Sequence, residues 1–388
     1  MTIFYLDYSR KILIKLIVNN MKYCNNCLMP ETRPRITFNE NGICNACEWA
    51  GQKKEDVDWV SREKILIELI EESKKRNPGK FQWIFPASGG KDSSYVAYQM
   101  KNKWGANGLS VTVHPPLSYD LGNKNLENFI FSGFDNIRIT PNPDVGRKMA
   151  RYYFETQGQP LMAWIMSVQS IVLRVAENFN IPYIMFGEEG EIEYGGSSEL
   201  KNKFYYNLDE CIDLYFSGNK PDEFLSNYSD EEKFWWMLPS IENFKKLNPI
   251  ISKYSFFENW DSYKHYLVAK EKCGMLEEEG RCIGTYNNFA QTDTKLYDLH
   301  VYLMFLKFGF GRCTQDVGID IRRGALSRKQ GISLVKMYDG EYPEKLIPEY
   351  LEYFKMSQKE FDKVIDRYAN KKILEKKHGR WQLKNQII

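Results

Sequence analysis

The sequence predicts an α/β protein with a parallel, doubly wound sheet, a small N-terminal zinc ribbon and a mostly helical C-terminal region. Three observations support this prediction. Four short apolar runs of strand type alternate with segments of helical type, which is the pattern of a parallel sheet covered on both faces. Two Cys-x-x-Cys pairs lie close together near the N-terminus. Beyond residue 284 the apolar residues follow helical rather than strand patterns.

Charge and hydrophobicity narrow the class of protein. The chain has 53 basic and 51 acidic residues and a formal net charge of +2, so no overall field favours nucleic acid or a membrane surface. No run of about 18 apolar residues is present, and charged residues interrupt the apolar stretch before position 20. We therefore expect a cytoplasmic protein. Residues 1–20 are either an upstream extension or an accessory amphipathic helix.

The N-terminal cysteines have the spacing of a metal site. Cys24 and Cys27 form one pair, Cys44 and Cys47 the other, and a turn signal at residues 41–42 lies between them. Two such pairs complete a closed tetrahedral shell, which predicts a structural zinc ion on a small hairpin. Redox-active pairs, unrelated free thiols and an iron–sulfur cluster are the alternatives.

The strands and helices of the predicted sheet follow in order. An amphipathic helix over residues 61–76 ends at Asn77-Pro78-Gly79. The four predicted strands cover residues 81–86, 108–113, 136–140 and 181–186. In a parallel sheet of this kind the ligand crevice lies at the carboxyl ends of the strands.

A phosphate-binding loop is predicted directly after the first strand, in the run Ser88-Gly89-Gly90-Lys91-Asp92-Ser93-Ser94. Adjacent glycines permit positive φ and close approach of a phosphate, while the serines and the following helix N-terminus supply donors. We expect Ser88, Gly89, Gly90, Asp92, Ser93 and Ser94 to bind the nucleotide. Asp92 either caps the helix or holds Mg2+, and Lys91 either reaches a phosphate or faces water. An ordinary βα turn is the alternative.

Further candidate residues follow the later strands. The segment from Gly187 to Gly196, after the fourth strand, carries four carboxylates. Gly187 is grouped with the nucleotide-binding residues. Glu188, with Glu191, is expected to bind magnesium or to orient an amine. A solvated acidic loop is the alternative. The aromatic-rich residues 208–249 are interpreted as a cap over the crevice or as core packing.

Polar residues beyond position 284 complete the predicted site. The predicted catalytic set is Lys91, Asp92, Glu188, Asp293 and Lys295. Arg312, Arg322 and Arg323 are candidates for binding substrate anions, since arginine forks onto carboxylate and phosphate oxygens. A surface salt-bridge network is the alternative for these arginines. The capping box at Ser357 and Glu360 opens a helix that we expect to serve packing.

The loop sequence Ser88-Gly89-Gly90-Lys91-Asp92-Ser93 differs from a Walker loop and resembles the PP-loop of the ATP pyrophosphatases. That resemblance implies a fold of the adenine nucleotide α-hydrolase type, with ATP and Mg2+ used and ATP cleaved to AMP and pyrophosphate. It specifies a superfamily rather than a reaction.

The combination of zinc ribbon, PP-loop and C-terminal block, from about Met21 to the C-terminus, resembles the N-acetyl sugar amidotransferases. The block includes Lys307 to Arg312 and Ile321 to Gly324. This resemblance implies conversion of a sugar N-acetyl group to an acetamidino group through an adenylylated imidate. Expected acceptors are nonulosonic acids such as pseudaminic acid, used in flagellin glycosylation, or nucleotide-linked diacetamido sugars of lipopolysaccharide.

The resemblance also implies the domains and a partner. The expected parts are residues 1–20 (extension), 21–57 (four-cysteine zinc ribbon), 58–200 (PP-loop ATP-binding domain), 201–283 (insertion or cap) and 284–388 (helical region contributing to the substrate site). Cys211, Cys273, Cys282, Cys313 and the four histidines form no glutaminase constellation, so a separate glutaminase is expected to supply ammonia. A tRNA-modifying thiolase and a non-enzymatic zinc-ribbon scaffold are the alternative functions.

Overall fold

The computed structural model describes residues 21–78, 81–199, 201–207, 210, 212, 215–385 and 387. The predicted extension over residues 1–20 and Cys211 lie outside the described residues. The helices are α1 (Asn45–Glu55), α2 (Trp59–Arg76), α3 (Lys91–Asn102), α4 (Asp120–Phe131), α5 (Pro143–Gln157), α6 (Met162–Asn178), α7 (Gly190–Tyr194), α8 (Pro221–Leu225), α9 (Asp230–Lys233), α10 (Ile241–Leu247), α11 (Ser262–Cys273), α12 (Leu296–Phe308), α13 (Arg312–Arg322), α14 (Arg328–Tyr338), α15 (Ile347–Phe354) and α16 (Gln358–Tyr368). The strands are β1 (Trp83–Pro86), β2 (Gly108–Val113), β3 (Asp135–Ile139), β4 (Tyr183–Phe186), β5 (Ile250–Lys253), β6 (Leu374–Lys377) and β7 (Arg380–Leu383).

The predicted parallel, doubly wound sheet is confirmed. Its order is β3-β2-β1-β4-β5, and every neighbouring pair is parallel. The chain builds outward from β1 to β3 and then returns to place β4 on the other side of β1. This reversal opens a crevice at the carboxyl ends of β1 and β4, where ligands bind in sheets of this type.

The fifth strand was not predicted from the sequence. β5 pairs with β4 from Tyr183↔Ile250 to Phe186↔Lys253 and lies inside the segment predicted as an insertion or cap. Only two apolar residues, Ile250 and Ile251, mark it in the sequence, which is too short a run to separate from its surroundings. Part of this segment is therefore built into the sheet itself.

Side chains alternate along β1 between two cores. Ile84 faces the larger core, which includes residues of α5, α6, α12, α15 and α16, whereas Trp83 and Phe85 face a second core that includes residues of α2, α3 and α11. This alternation is the period-two pattern of a strand buried on both faces. Trp236 is also buried in the larger core and donates its Nε1–H to the carbonyl of Ala163 at 3.0 Å. Trp236 thus serves core packing.

The N-terminal cysteines lie in a compact module, residues 21–57, here called the cysteine module. It packs on the C-terminal region. Leu28 is buried among Cys313, Val317 and Val335, residues of α13 and α14. The predicted hairpin is reduced to a single antiparallel bridge, Phe38↔Cys44, around a turn at Gly42. None of the described helices has the length and apolar character needed to cross a membrane.

Candidate active site

A cleft of about 370 Å³ lies at the carboxyl ends of β1 and β4. The segments that line it include the loop after β1, the residues after β4, and a stretch of the C-terminal region. The predicted site residues that line it are Ser88, Gly90, Lys91, Asp92, Ser93, Gly187, Glu188, Asp293 and Arg312. Residues separated by more than 200 positions therefore share one site.

The loop after β1 has the geometry of an anion cradle. Gly89 has φ +76°, and a Cβ at this position would lie 2.4 Å from the amide nitrogen of Leu126 and 2.5 Å from the carbonyl oxygen of Asn125. Gly90 precedes α3 without any side-chain cap, so no side chain of the chain itself satisfies the first-turn N–H groups there. The Ser88 hydroxyl lies 3.4 Å from the Gly90 nitrogen at the same turn. Such free donors at a helix N-terminus suit a phosphate.

Asp92 is held by two neighbours. Lys91 forms an ion pair with it, and Nδ1 of His265 lies 2.9 Å from its Oδ1. Although burial would raise the pKa of Asp92, the Lys91 charge and the His265 hydrogen bond lower it to about 2. Burial lowers the pKa of His265 itself, and its ring stacks on Tyr95 with 4.0 Å between centroids. We therefore assign a neutral His265 that donates from Nδ1 and orients the carboxylate.

Two further carboxylates enter the cleft. Burial, and then the charge of Asp92, raise the pKa of Glu188; burial also raises the pKa of Asp293, whose carboxylate accepts a hydrogen bond from Gln291. Carboxylate oxygens are the ligands that Mg2+ prefers, and a cation would relieve the repulsion between Asp92 and Glu188. The donors present therefore suit a magnesium ion at Asp92 and Glu188, but among the described residues only the four cysteines already lie within 4.8 Å of one another as a group that could hold a metal.

Of the four carboxylates in the acidic loop, Glu188 alone lines the cleft. The other three are engaged with side chains elsewhere: Glu189 with Tyr215, Glu191 with Arg35, and Glu193 with Trp49 and Lys53. Glu191, expected to act beside Glu188, instead binds the cysteine module. The loop is neither a solvated acidic turn nor a four-carboxylate site.

The C-terminal region supplies the remaining polar groups of the cleft. Arg312 donates from Nη1 to the Tyr297 hydroxyl at 2.6 Å, and its Nε lies 3.0 Å from Asp316. Burial opposes the guanidinium charge, but Asp316 raises the pKa of Arg312 and keeps it charged. Tyr194 of α7 also lines the cleft, and burial raises its pKa well above the usual value. A fixed cation and two phenols thus border the carboxylates.

Besides Glu191, five predicted residues do not line the cleft: Gly89, Ser94, Lys295, Arg322 and Arg323. Ser94 is fully buried beneath the loop, and Lys295, at the start of α12, pairs with Glu349 of α15 at 2.6 Å. Arg323 pairs with Asp320 at 2.6 Å. Arg322 lies about three helical turns beyond Arg312 on α13, so it cannot enter the same cleft.

The four N-terminal cysteines are arranged for a metal ion. Their Sγ atoms all lie within 4.8 Å of one another, with Cys24 and Cys47 separated by 3.8 Å. A tetrahedral zinc site with Zn–S bonds of about 2.3 Å has sulfur atoms roughly 3.8 Å apart. The backbone N–H of Cys44 and the side chain of Asn26 point at sulfur atoms at 3.3 and 3.4 Å, which favours thiolates. The donor set fits a closed, structural zinc site.

The remaining described cysteines carry no nucleophile of glutaminase type. Burial raises the pKa of Cys273, Cys282 and Cys313, in the case of Cys282 to about 11. A thiol with a raised pKa is a weak nucleophile at neutral pH. None of these three residues lines the cleft.

Comparison with known proteins shows that one segment is similar to a described family. Residues 283–387 match the family "LPS biosynthesis protein WbpG-like, C-terminal domain". Among solved structures, an NH3-dependent NAD synthetase from Campylobacter jejuni subsp. jejuni NCTC 11168, in complex with the nitrate ion, is 15% identical, over 48% of this chain and 99% of that chain, with a TM-score of 0.29. An NMN synthetase from Francisella tularensis is 13% identical, over 57% of this chain and 89% of that chain, with a TM-score of 0.28. No curated protein matched the sequence.

Proposed function

We propose that the protein is an ATP-dependent amidotransferase that converts an N-acetyl group of a bacterial surface-glycan sugar to an acetamidino group. The observation that carries the proposal is the shared cleft. Asp293 and Arg312, within the segment that matches the lipopolysaccharide biosynthesis domain, line the same cleft as the phosphate-binding loop. An acceptor held by the C-terminal region would therefore meet ATP directly.

The loop would hold the leaving pyrophosphate. The uncapped N–H groups of α3 and the Ser88 and Ser93 hydroxyls supply donors, and Lys91 supplies positive charge at the cleft wall. Asp92 and Glu188 would hold Mg2+, which supplies charge neutralisation of the phosphates. His265 keeps Asp92 in place through its 2.9 Å contact. Chemistry of this kind needs positioning rather than a protein nucleophile.

The acceptor amide would react in two steps. Its oxygen attacks the α-phosphorus, pyrophosphate leaves, and an O-adenylyl imidate forms. Ammonia then attacks the imidate carbon, AMP leaves with the former amide oxygen, and one proton is released from nitrogen. Asp293, whose pKa burial raises, is the carboxylate that we assign to receive this proton.

Arg312 and the two phenols would orient the acceptor. Arg312 is fixed by Tyr297 and Asp316 yet still lines the cleft, so it can donate to an acceptor oxygen without rearrangement. The finer assignment, to a nonulosonic acid such as pseudaminic acid or to a nucleotide-linked diacetamido sugar, is part of the proposal. Ammonia would come from a partner glutaminase, because the three described thiols outside the metal site are buried and have raised pKa values.

The test is a direct search for the product. The purified protein is incubated with ATP, ammonium and candidate diacetamido sugars carrying ¹⁸O in the N-acetyl carbonyl, and mass spectrometry follows the label. Label in AMP, with a sugar product bearing an amidine, is the expected result. Label in phosphate with formation of ADP would replace adenylylation by γ-phosphoryl transfer. ATP cleavage stimulated by tRNA, with no sugar product, would overturn the proposal in favour of a tRNA-modifying enzyme.

A further inference from the structure

The segment Glu188 to Ser197, here called the Glu188 segment, contacts both the cleft and the cysteine module. Glu188 and Tyr194 line the cleft. The same short segment, which includes α7, also carries Glu191 and Glu193 away from the cleft, toward residues 21–57. Any movement of this segment would therefore move two cleft residues.

The cysteine module binds this segment through the two carboxylates that face away from the cleft, Glu191 and Glu193. Arg35 donates to Glu191 through two nitrogens, at 2.8 and 2.5 Å. Lys53 and Trp49 donate to the two oxygens of Glu193 at 2.7 and 2.8 Å. The Lys53–Glu193 pair is about nine-tenths buried on each side, so its hydrogen bonds are protected from water.

The cysteine module also contacts the backbone of the Glu188 segment. Asn45 donates its amide to the carbonyl of Gly196 at 2.6 Å. Gly195 has φ +87°, and a Cβ there would lie 3.3 Å from the Asn45 side chain and 3.4 Å from Ala46. α1 therefore packs directly on the end of α7, leaving little room for an independent shift of the segment.

The metal site connects to the same segment through Arg322. Its Nη2 donates to the backbone carbonyl of Glu193 at 3.3 Å. A Cβ at Gly318 would lie 3.1 Å from Nη1 of Arg322 and 3.4 Å from the carbonyl oxygen of Cys27, so the guanidinium lies beside the cysteine ligands. A tetrathiolate zinc site carries net negative charge, which a buried guanidinium compensates. Arg322 thus relates to the metal site and not to substrate.

We propose that the cysteine module positions Glu188 and Tyr194 in the cleft, with Arg35, Lys53 and Trp49 as the positioning residues and Arg322 as the link to the metal. Loss of these hydrogen bonds and ion pairs would free α7 and move Glu188 away from Asp92, with which it would hold magnesium. The part of the proposal that concerns Mg·ATP rests on the proposed function; the part that concerns the position of the segment does not.

The experiment uses the full chain and four variants. Lys53→Met removes the buried charge, and Lys53→Met combined with Glu193→Gln restores a neutral pair of similar volume. Arg35→Ala removes the half-exposed partner of Glu191. Lys376→Ala is the control, because Lys376 of the remote β6–β7 hairpin forms a comparably exposed pair with Asp366 of α16.

Two quantities are measured: hydrogen exchange of the amides in residues 188–197 and the Kd for Mg·ATP. A carboxylate left buried without its charged partner is strongly unfavourable, so we expect about a hundredfold faster exchange in Lys53→Met. The double variant should return to within about tenfold of wild type, since a neutral pair leaves no buried charge. Arg35→Ala should exchange roughly threefold to tenfold faster, because its pair is half exposed. The Kd should rise in the same order, and Lys376→Ala should change neither quantity.

A purely structural role predicts a different result. Lys53→Met would then lower the melting temperature while leaving the Kd of the folded protein and the exchange of residues 188–197 unchanged, which would overturn the proposal. Chelation of the metal should speed exchange in residues 188–197 while strands β1 and β2 stay protected; protected residues 188–197 would also count against it. If wild type itself fails to bind Mg·ATP, the proposed function fails, but the exchange measurement still decides this inference.

Discussion

Replacing Gly89 by alanine tests the phosphate-binding loop most sharply. The added Cβ would lie 2.4 Å from the Leu126 nitrogen, whereas ordinary contacts begin at 3.4 Å. The neighbouring backbone cannot move away, because Asn125 is buried and its side chain forms two hydrogen bonds with the backbone of Leu276. It accepts from the Leu276 N–H at 2.7 Å and donates to the Leu276 carbonyl at 3.1 Å. The loop must therefore move by roughly 1 Å, a displacement that is enough to reduce a rate about a hundredfold.

The magnitude has two parts. Holding alanine at φ +76° costs about 1–2 kcal/mol, and relieving the contact costs about 1–3 kcal/mol more. A substitution at Gly105 separates the conformational cost from the contact cost, since Gly105 has φ +60° with nothing within 4 Å of its Cβ position. Gly105→Ala should lose only the conformational part, with ATP cleavage unchanged.

The assay is pyrophosphate release at subsaturating ATP, with urea unfolding of both variants. We expect kcat/KM for ATP to fall about a hundredfold in Gly89→Ala, equivalent to about 2.7 kcal/mol of transition-state stabilisation. Wild-type kcat/KM in Gly89→Ala, with a stability loss equal to that of Gly105→Ala, would show that the loop does not bind phosphate.

Three other predictions concern single side chains. Asp92→Asn should lower pyrophosphate release by on the order of 10²-fold with little change in melting temperature, and an unchanged rate would remove Asp92 from the site. Cys24→Ser should lower the zinc content measured by metal analysis; full zinc occupancy in the variant, or no metal in wild type, would refute the four-cysteine site. Burial raises the pKa of Asp298 from 3.8 to about 7, so the folded protein keeps a proton that the unfolded chain has lost, and stability falls as the pH rises from 4 to 7. Asp298→Asn removes this slope, so in urea unfolding its stability relative to wild type should rise by about 1.4 kcal/mol per pH unit between pH 5 and 7; parallel pH curves would contradict the assignment.

Local patterns carried the correct predictions. The four cysteines span 23 positions, and the structure places them within 4.8 Å of one another; the alternation of strands and helices covers residues 83–186. The parallel sheet then follows, because strand and helix alternation permits few other arrangements.

Long-range contacts account for what the sequence did not reveal. His265 lies 173 positions from Asp92, and no local pattern links them. The acidic loop reads as one cluster in the sequence, yet its carboxylates separate because α7 turns Glu191 and Glu193 toward the cysteine module. Arg322 and Arg312 likewise share a helix but not a site, since about three turns separate them.

The contact between the cysteine module and α13 and α14 has a consequence for synthesis of the chain. Thr32 and its acceptor, the carbonyl of Phe308 at the end of α12, are 276 positions apart, so about 14 to 55 seconds of translation separate them at typical rates, and α13 and α14 emerge later still. The four cysteines span only 23 positions and can bind metal almost as soon as they leave the ribosome. During that interval Leu28 lacks its buried partners on α13 and α14, and a metal ion bound by the cysteines would hold the module together until those helices emerge.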